Sequence, residues 1–577
     1  MPLETDKSNG FTLTLSQELQ TGLHLSQFAR SVPLWADGEN VQFTPLGVEK
    51  LPGWDQIADT GNGEPIRGLL QQNENAVNIV YAGDLTQLYH VEIDTGTVVT
   101  VGTGYTLSAD TGGTEWDSGT TTWDTGSTIW DSGLVFADHW SLINYGSFIF
   151  ATSGADAPQV RKARDFVDMP TGVTGITVTG GGSGYVVGEV LTLTGGDGSG
   201  ATAEVTSVNS GVITGVTMTD AGTGYTTAPT SHTASASGTG ATFSHTVCDI
   251  DVGTVEIFLA RGPHILGFNT SNSDKEVIWC DADDPDTWVT ASDNLAGALQ
   301  LRELKSEIKA AQPLGARIAV YGDDQMFLLS YLGNQLVFGY QPALNGIGAV
   351  SKNAVVAVGA RNMGLSQQGF FVTDGASFQY IDDPAVRRWF QENAASGQLS
   401  KTIAFHDEEN NQVRWYFPTT SVEITEGLAY NYQSGVWSKV TADRTAGQER
   451  VVAAHPITGD SSGMLYLEGQ GNNAFQSAMT SYARSKPIDL GSANNVKELD
   501  SIRIGYEGSG LQYRVGWSET ENGSVTWGAY TTFEDGFDFQ NLRTAGRWLH
   551  FELYSNTLNA DWEVMNVEFM GRVEGSR

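Results

Sequence analysis

The stretch Gln412-Val413-Arg414-Trp415-Tyr416-Phe417 is short, rich in aromatic and β-branched residues, and follows Asn411. Runs of this kind with turn residues at their ends are typical of β-strands. Similar runs occur along the chain, at 256–260, 317–321 and 503–506. The sequence therefore predicts a mainly β protein built from short strands.

One helix is predicted. Asp383 can accept hydrogen bonds as an N-cap, Pro384 suits the first helical position, and residues 385–394 favour helix, so we expect about three turns. Residues 295–311 are ambiguous, because Leu, Glu and Lys favour helix while Leu299-Gln300-Leu301 alternates. We interpret that segment as strands.

A repeat with an offset of 40 residues marks a separate module. Gly175-Ile176-Thr177-Val178-Thr179 recurs at 215–219, Gly182-Ser183-Gly184-Tyr185 recurs at 222–225, and Gly200-Ala201-Thr202 recurs at 240–242. The pattern predicts two copies of a strand and glycine-turn unit over residues 173–247, inserted into a larger domain. Blades of the tryptophan-aspartate class have a similar length, but their signature is missing, and we favour a duplication.

A second repeat has a period of seven and brings Trp116, Trp123 and Trp130 into equivalent positions, each followed by Asp. The intervening Gly, Ser and Thr disfavour helix, so each unit is interpreted as an extended stretch ending in a turn. These tryptophans either pack among strands or, if exposed, contact a glycan or a protein partner. Packing is the simpler interpretation.

Composition and charge limit the function. The chain of 577 residues has 31 basic and 67 acidic residues, a formal charge of −36, which disfavours nucleic acid or anionic membranes as partners. Its two cysteines, Cys248 and Cys280, do not suggest a disulfide framework and are interpreted as buried thiols. We find neither a Sec-type signal peptide nor an apolar run long enough to span a membrane, so we expect cytoplasmic synthesis.

No motif for catalysis or cofactor binding was found. The acidic cluster Asp281-Ala282-Asp283-Asp284-Pro285-Asp286 could supply Ca²⁺ ligands, but it lacks the loop glycine and later glutamate of an EF-hand. A solvated turn is the preferred interpretation. We therefore expect no enzyme activity, no cofactor and no metal.

Several sequence segments, taken together, resemble the tail nozzle, or hub, proteins of short-tailed bacteriophages. They are residues 36–47 with Lys50-Leu51-Pro52-Gly53-Trp54, residues 277–288, residues 368–390, residues 406–418 and residues 428–438. A looser match covers the last 90 residues, including Gly546-Arg547-Trp548-Leu549 and 567–572. The 40-residue repeat and the tryptophan repeat depart from the family pattern.

The resemblance implies a β-propeller carrying the inserted module and followed by a C-terminal β-sandwich-like domain. Residues 1–50 would be an extended segment leading into the propeller, which would comprise 51–172 and 248–485. Residues 173–247 would form the module, and 486–577 the C-terminal β domain.

The resemblance also implies a structural virion protein of the tail. Six copies would form a ring below the portal-adaptor ring, with other tail proteins or fibres at its rim. Genomic DNA would leave through the lumen without specific binding, along an acidic wall. The alternative is a carbohydrate-binding tail fibre or adhesin, which the tryptophan repeat would serve.

Overall fold

Short alternating strands pair to form small sheets, and the seven sheets whose first strands contact one another in succession are here called blades; six have four strands and the last has six. The computed structural model describes residues 4–5, 10–14, 35–44, 47–105, 139–161, 167–168, 173–220, 222, 225, 227–247, 254–288, 290, 294–333, 336–419, 423–490, 493–533 and 539–574. Within these residues there are seven blades. The chain is thus nearly all β.

The strands of the blades are as follows. Blade 1 comprises Gly68–Glu74, Val77–Gly83, Gln87–Glu92 and Val98–Thr103; blade 2, Ser141–Tyr145, Phe148–Thr152, Gln159–Arg161 and Val167–Asp168; blade 3, Val255–Arg261, His264–Thr270, Ser273–Trp279 and Gly297–Gln300. Blade 4 comprises Ala310–Leu314, Arg317–Tyr321, Gln325–Tyr331 and Phe338–Asn345; blade 5, Val355–Val358, Arg361–Ser366, Gly369–Thr373 and Phe378–Tyr380; blade 6, Ile403–Asp407, Gln412–Pro418, Ile424–Asn431 and Val436–Thr441. Blade 7 comprises Ala446–Gln448, Ile457–Gly459, Met464–Glu468 and Trp54–Asp59, with the short strands Asn473–Ala474 and Ser477–Ala478 beside them.

The blades are arranged around an axis. The first strand of each blade contacts the first strand of the next, and the first strand of blade 7 contacts that of blade 1. Blade 7 takes its fourth strand, Trp54–Asp59, from the N-terminal part of the chain, where it pairs with Met464–Glu468. The seven blades therefore form a closed, β-propeller-like body.

A buried ionic network lies where this body closes. Glu468 receives a hydrogen bond of 2.6 Å from Arg444 Nε and another of 2.8 Å from Thr458 Oγ1. Arg414 of blade 6 lies 3.5 Å from the same carboxylate, and the Arg444 guanidinium stacks on the ring of Trp54. The network therefore joins blade 6, blade 7 and the N-terminal strand.

The repeat module forms its own sheets. Val173–Ser183 pairs with Thr239–Val247, and a four-stranded sheet contains Val190–Thr194, Thr202–Asn209, Val212–Asp220 and Ser231–Ala234. The repeated tyrosines Tyr185 and Tyr225 are buried in its core. Gly182 has φ +60°, and a Cβ there would overlap the Tyr185 ring; Gly222 has the same relation to Tyr225. The repeated Gly-x-Gly-Tyr motif thus serves packing within the module. The module is not one of the blades.

Deletion of residues 173–247, with a short Gly-Ser bridge, is expected to leave a soluble protein that unfolds cooperatively. Val173 and Val247 are paired side by side, and the buried cluster of the module contains module residues only. Solubility and thermal unfolding check this prediction. Removal of the blade 2 segment 139–161 is the control that should aggregate, and aggregation of both variants would show that the module is integral to the body.

The C-terminal region contains two sheets around one core. One sheet comprises Glu4–Thr5, Gly10–Thr14, Val41–Phe43, Val48–Lys50, Lys497–Ser509, Gln540–Gly546 and Asp561–Val573; the other, Trp35–Glu39, Ser481–Ser485, Gln512–Ser518, Thr526–Trp527, Thr531–Thr532 and Trp548–Ser555. Both contribute side chains to the same buried cluster.

Two expected boundaries need correction. Residues 35–50 do not form an extended lead into the propeller, because their strands pair within the C-terminal sheets. The reason is apolar burial: Trp35, Val41 and Phe43 are buried in the core that the two C-terminal sheets share. Ser481–Ser485 likewise pairs with Trp548–Ser555 and not with a blade.

The helix prediction is confirmed. Pro384–Asn393 is α-helical, and the Asp383 carboxylate accepts hydrogen bonds from the backbone N–H groups of Ala385 and Val386. A 3-10 helix, Ser396–Lys401, follows it. In the segment 295–311, residues 297–300 and 310–311 lie in strands, as expected, whereas residues 301–309 form turns and irregular structure. None of the helices in the described ranges has the length and apolar character needed to span a bilayer.

Candidate functional site: the axial cavity

The first strands of the blades surround a cavity of about 520 Å³ on the axis of the body. Residues of all seven blades line it, from Gly68 in blade 1 to Glu449, which follows the first strand of blade 7. Each first strand has a hydrogen-bonded neighbour on one side only. Main-chain groups at the free strand edges and small side chains such as Ala357 therefore form much of the wall.

Basic residues come just before the first strands of several blades. Arg67 precedes blade 1, His139 blade 2, Lys352 blade 5 and Lys401 blade 6. These four residues lie close together and are called the basic floor. The charges of Arg67 and Lys352 act on His139, and a carboxylate shared by Arg67 and Lys401 joins those two. The side chains of all four are buried, and Lys352 is the one among them that lines the cavity.

Two carboxylates partly neutralise the floor. Glu423, from the loop before the third strand of blade 6, lies 2.8 Å from Arg67 Nη2 and 3.6 Å from Lys401 Nζ. Glu256 lies 3.4 Å from Lys352 Nζ. The Glu256 carboxylate fits against Gly154, which has φ +80° and where a Cβ would overlap it. Arg67, Lys352 and Lys401 thus each lie within 4 Å of a carboxylate.

The floor also contains buried polar atoms without hydrogen-bond partners among the described residues. These are Nε and Nη1 of Arg67, which is 2% exposed, and both ring nitrogens of His139, which is 1% exposed. The carbonyls of Arg67 and Lys401 lie near the imidazole without reaching hydrogen-bond geometry. Burying an unpaired polar group costs about 1 to 3 kcal/mol.

The surroundings of His139 favour the neutral form of its imidazole. Burial lowers the pKa of its imidazole well below the usual range, and the positive charges of Arg67 and Lys352 lower it further. A neutral imidazole offers one hydrogen-bond donor and one acceptor. His139 therefore adds hydrogen-bonding capacity to the floor but no charge.

The opposite end of the cavity opens to solvent, and its carboxylates have basic partners. Glu449 is 54% exposed and lies 3.5 Å from His406 Nδ1, while Glu409 lies 2.9 Å from His455 Nδ1. Arg450 lies 3.1 Å from Glu408. The carboxylates of this group thus each lie within 3.5 Å of a histidine or arginine side chain.

Of the residues singled out from sequence, those that the structure describes do not line the cavity. Trp116, Trp123 and Trp130, the possible partner or glycan contacts, lie outside the described residues, as does Cys248. Cys280 is buried as expected, and burial raises the pKa of its thiol to about 12.

The aspartate cluster forms a turn. Asp281 accepts hydrogen bonds from backbone N–H groups of Ala282 and Leu295, and Asp284 accepts one from Asp286. Within the described ranges, no group of three or more His, Cys, Asp or Glu side chains could hold a metal ion.

The basic floor is not visible in the sequence as a contiguous cluster. Arg67 and Lys401 are separated by blades 1 to 5 in sequence, and only ring closure brings them together. The sequence feature that could have revealed the floor is a basic residue just before the first strand of a blade. Lys309, before Ala310–Leu314, is another example.

Comparisons with known proteins do not assign the chain to a protein family. No protein-family model matches the chain, and no curated protein matches it. Among solved structures, the Mitotic Checkpoint Complex yields a chain that is 9% identical, with a TM-score of 0.32, covering 76% of this chain and 94% of that one.

Two bacterial structures are similarly distant. PorZ, a component of the type-IX secretion system of Porphyromonas gingivalis, is 9% identical with a TM-score of 0.30, covering 78% of this chain and 44% of that one. The extracellular domain of a one component system from B. thetaiotaomicron is 9% identical with a TM-score of 0.26, covering 82% and 48%. Likenesses at these scores carry no argument about function.

Proposed function

We propose that the chain is a structural subunit of a bacteriophage tail nozzle, six copies of which form a ring in the virion through which the genome leaves. The proposal rests on the resemblance of several sequence segments, which occur in the same order along the chain, to the nozzle proteins of short-tailed phages. The resembling segments between residues 277 and 438 lie within blades 3 to 6 or in the connections between them. The segment 36–54 connects the C-terminal sheets to blade 7.

The DNA path in this proposal lies between subunits. A cavity of about 520 Å³ cannot pass a double helix, whose major groove alone is about 12 Å wide. The lumen must therefore be the centre of the ring, bordered by surfaces of several copies. A formal charge of −36 for each subunit would repel phosphate there and limit pausing of the DNA.

The arginine pair of the helix is unsuited to DNA binding. Arg387 donates two hydrogen bonds to Asp382, and Arg388 pairs with Glu392 on the next helical turn. These carboxylates oppose contact with phosphate.

Counting copies in the virion tests the proposal. We expect six subunits in one ring below the portal-adaptor ring, measured by imaging of virions and by quantitative protein composition. A different stoichiometry would contradict the nozzle assignment. A trimeric rod that binds glycans would instead support the fibre or adhesin alternative.

DNA binding tests the passage mechanism. The purified subunit or ring is expected to show no measurable affinity for double-stranded DNA, even at low ionic strength where charges are least screened. Salt-sensitive micromolar binding would overturn the acidic-lumen part of the proposal while leaving the stoichiometry test unaffected.

A further inference from the structure

We propose that the axial cavity binds a small neutral polyhydroxy compound of the size of a monosaccharide. The site is separate from the DNA lumen and does not depend on the nozzle assignment. Three features of the cavity wall support it: hydrogen-bonding groups of both kinds, a distribution of charge that suits an uncharged ligand, and a suitable volume.

The main chain supplies donors and acceptors to the cavity. The first strand of each blade pairs on one side only, so the N–H and C=O groups along its other edge face the axis. The lining runs 68–70 and 355–357 lie on such edges. Buried backbone groups need hydrogen-bond partners, so these edges require water or a ligand. Edges that offer both N–H and C=O groups suit hydroxyl groups, which both donate and accept.

Three side-chain amides add to these groups. Asn144 of blade 2, Gln312 of blade 4 and Asn353, just before blade 5, line the cavity. Their side chains make no hydrogen bond to another described residue. A primary amide has donor N–H groups and an acceptor oxygen, so it can bind a hydroxyl group in either role. Sites for small molecules usually combine a few polar groups with apolar ones, here Leu142 and Phe405 among others.

The charges on the wall favour an uncharged ligand. Among the described residues that line the cavity, Lys352 and Glu449 supply the formal charges, one of each sign. Lys352 Nζ lies 3.4 Å from the Glu256 carboxylate, and the Glu449 carboxylate lies 3.5 Å from His406 Nδ1. An ion in the cavity would lose hydration without meeting an uncompensated charge of opposite sign. A neutral polyhydroxy compound avoids this cost.

The cavity has the volume and the access that such a ligand needs. A volume of about 520 Å³ is within the usual range for sites of small molecules, roughly 300 to 1,000 Å³. Glu449, which lines it, is 54% exposed, so the cavity can be reached from solvent on that side.

Calorimetric titration of the full-length chain with D-glucose, D-galactose and N-acetyl-D-glucosamine, each separately, tests the site. For at least one of them we expect a dissociation constant of roughly 1 mM or tighter. Gln312→Leu and Asn353→Leu should each weaken binding of that sugar about fivefold, because each removes a hydrogen bond. Ala357→Phe, which fills part of the cavity, should abolish binding. The charged sugar D-glucuronate should bind more weakly than the neutral one.

Gln379→Leu is the matched control, because Gln379 is an exposed amide in the fourth strand of blade 5 and does not line the cavity. Equal binding by all variants would place the sugar elsewhere and overturn the proposal. Binding of none of the three sugars by the unmodified chain would show that the cavity holds water alone, and tighter binding of D-glucuronate would contradict a neutral ligand. Asn144 is exposed, so Asn144→Leu is expected to fold, and its fivefold weaker binding is required should an inner variant not fold.

Discussion

Replacement of Glu468 by Gln is expected to lower the free energy of unfolding by about 3 to 5 kcal/mol, because it removes the negative charge that Arg414 and Arg444 share in a buried site. Glu468 is 3% exposed, so water cannot replace the lost interaction. The loss should open the contact between blade 7 and the strand Trp54–Asp59. Urea unfolding followed by tryptophan fluorescence measures it.

Glu426→Gln provides the control for Glu468→Gln. Glu426 is a partly exposed blade 6 residue that lies 3.8 Å from Lys439, so its loss should cost no more than about 1 kcal/mol. Equal unfolding midpoints for the two variants would show that the closure network does not hold the ring.

Replacement of Trp35 by Ala is expected to cost about 3 to 5 kcal/mol and to release the N-terminal segment 35–50 from the C-terminal sheets. Trp35 is fully buried, with ring centroids 6.0 Å from Phe43 and 5.4 Å from Phe551. Removing the indole leaves a cavity between the two sheets. Denaturant unfolding measures the stability, and limited proteolysis detects the released segment.

Leu558→Ala, at a half-exposed position of the same domain, should change stability by no more than about 0.5 kcal/mol. Should Trp35→Ala behave like this control and leave residues 35–50 protected, the segment would not depend on packing against the C-terminal core.

Local sequence patterns predicted helices and strands, but they did not predict which distant strands pair with one another. The helix at Pro384–Asn393 follows from Asp383 and its neighbours alone. The partner of Trp35–Glu39 could not be found locally, since Trp35 pairs with Ser485 across most of the chain. Strand alternation shows which face is buried but not which distant strand covers it.

Two blades share a motif, an aspartate in a hairpin turn followed by a tyrosine, that is difficult to recognise in the sequence. Asp84 and Asp460 each turn a strand hairpin, accept backbone hydrogen bonds and receive a hydrogen bond from a tyrosine, Tyr89 and Tyr466 respectively. The tyrosine follows after five residues in one blade and six in the other. This difference of one residue obscures the repeat, whereas the 40-residue repeat of the module is regular.

Closure of the ring by Trp54–Asp59 sets the order of events during protein synthesis. Its partner Met464–Glu468 emerges from the ribosome roughly 400 residues later, which takes about 20 to 80 s at a translation rate of roughly 5 to 20 residues per second. For that time the early strand has an open edge, and the ring cannot close from either end. Such a high contact order slows folding and exposes the nascent chain to aggregation. The yield of soluble protein should therefore depend on chaperones and translation speed more than on the stability of the finished ring.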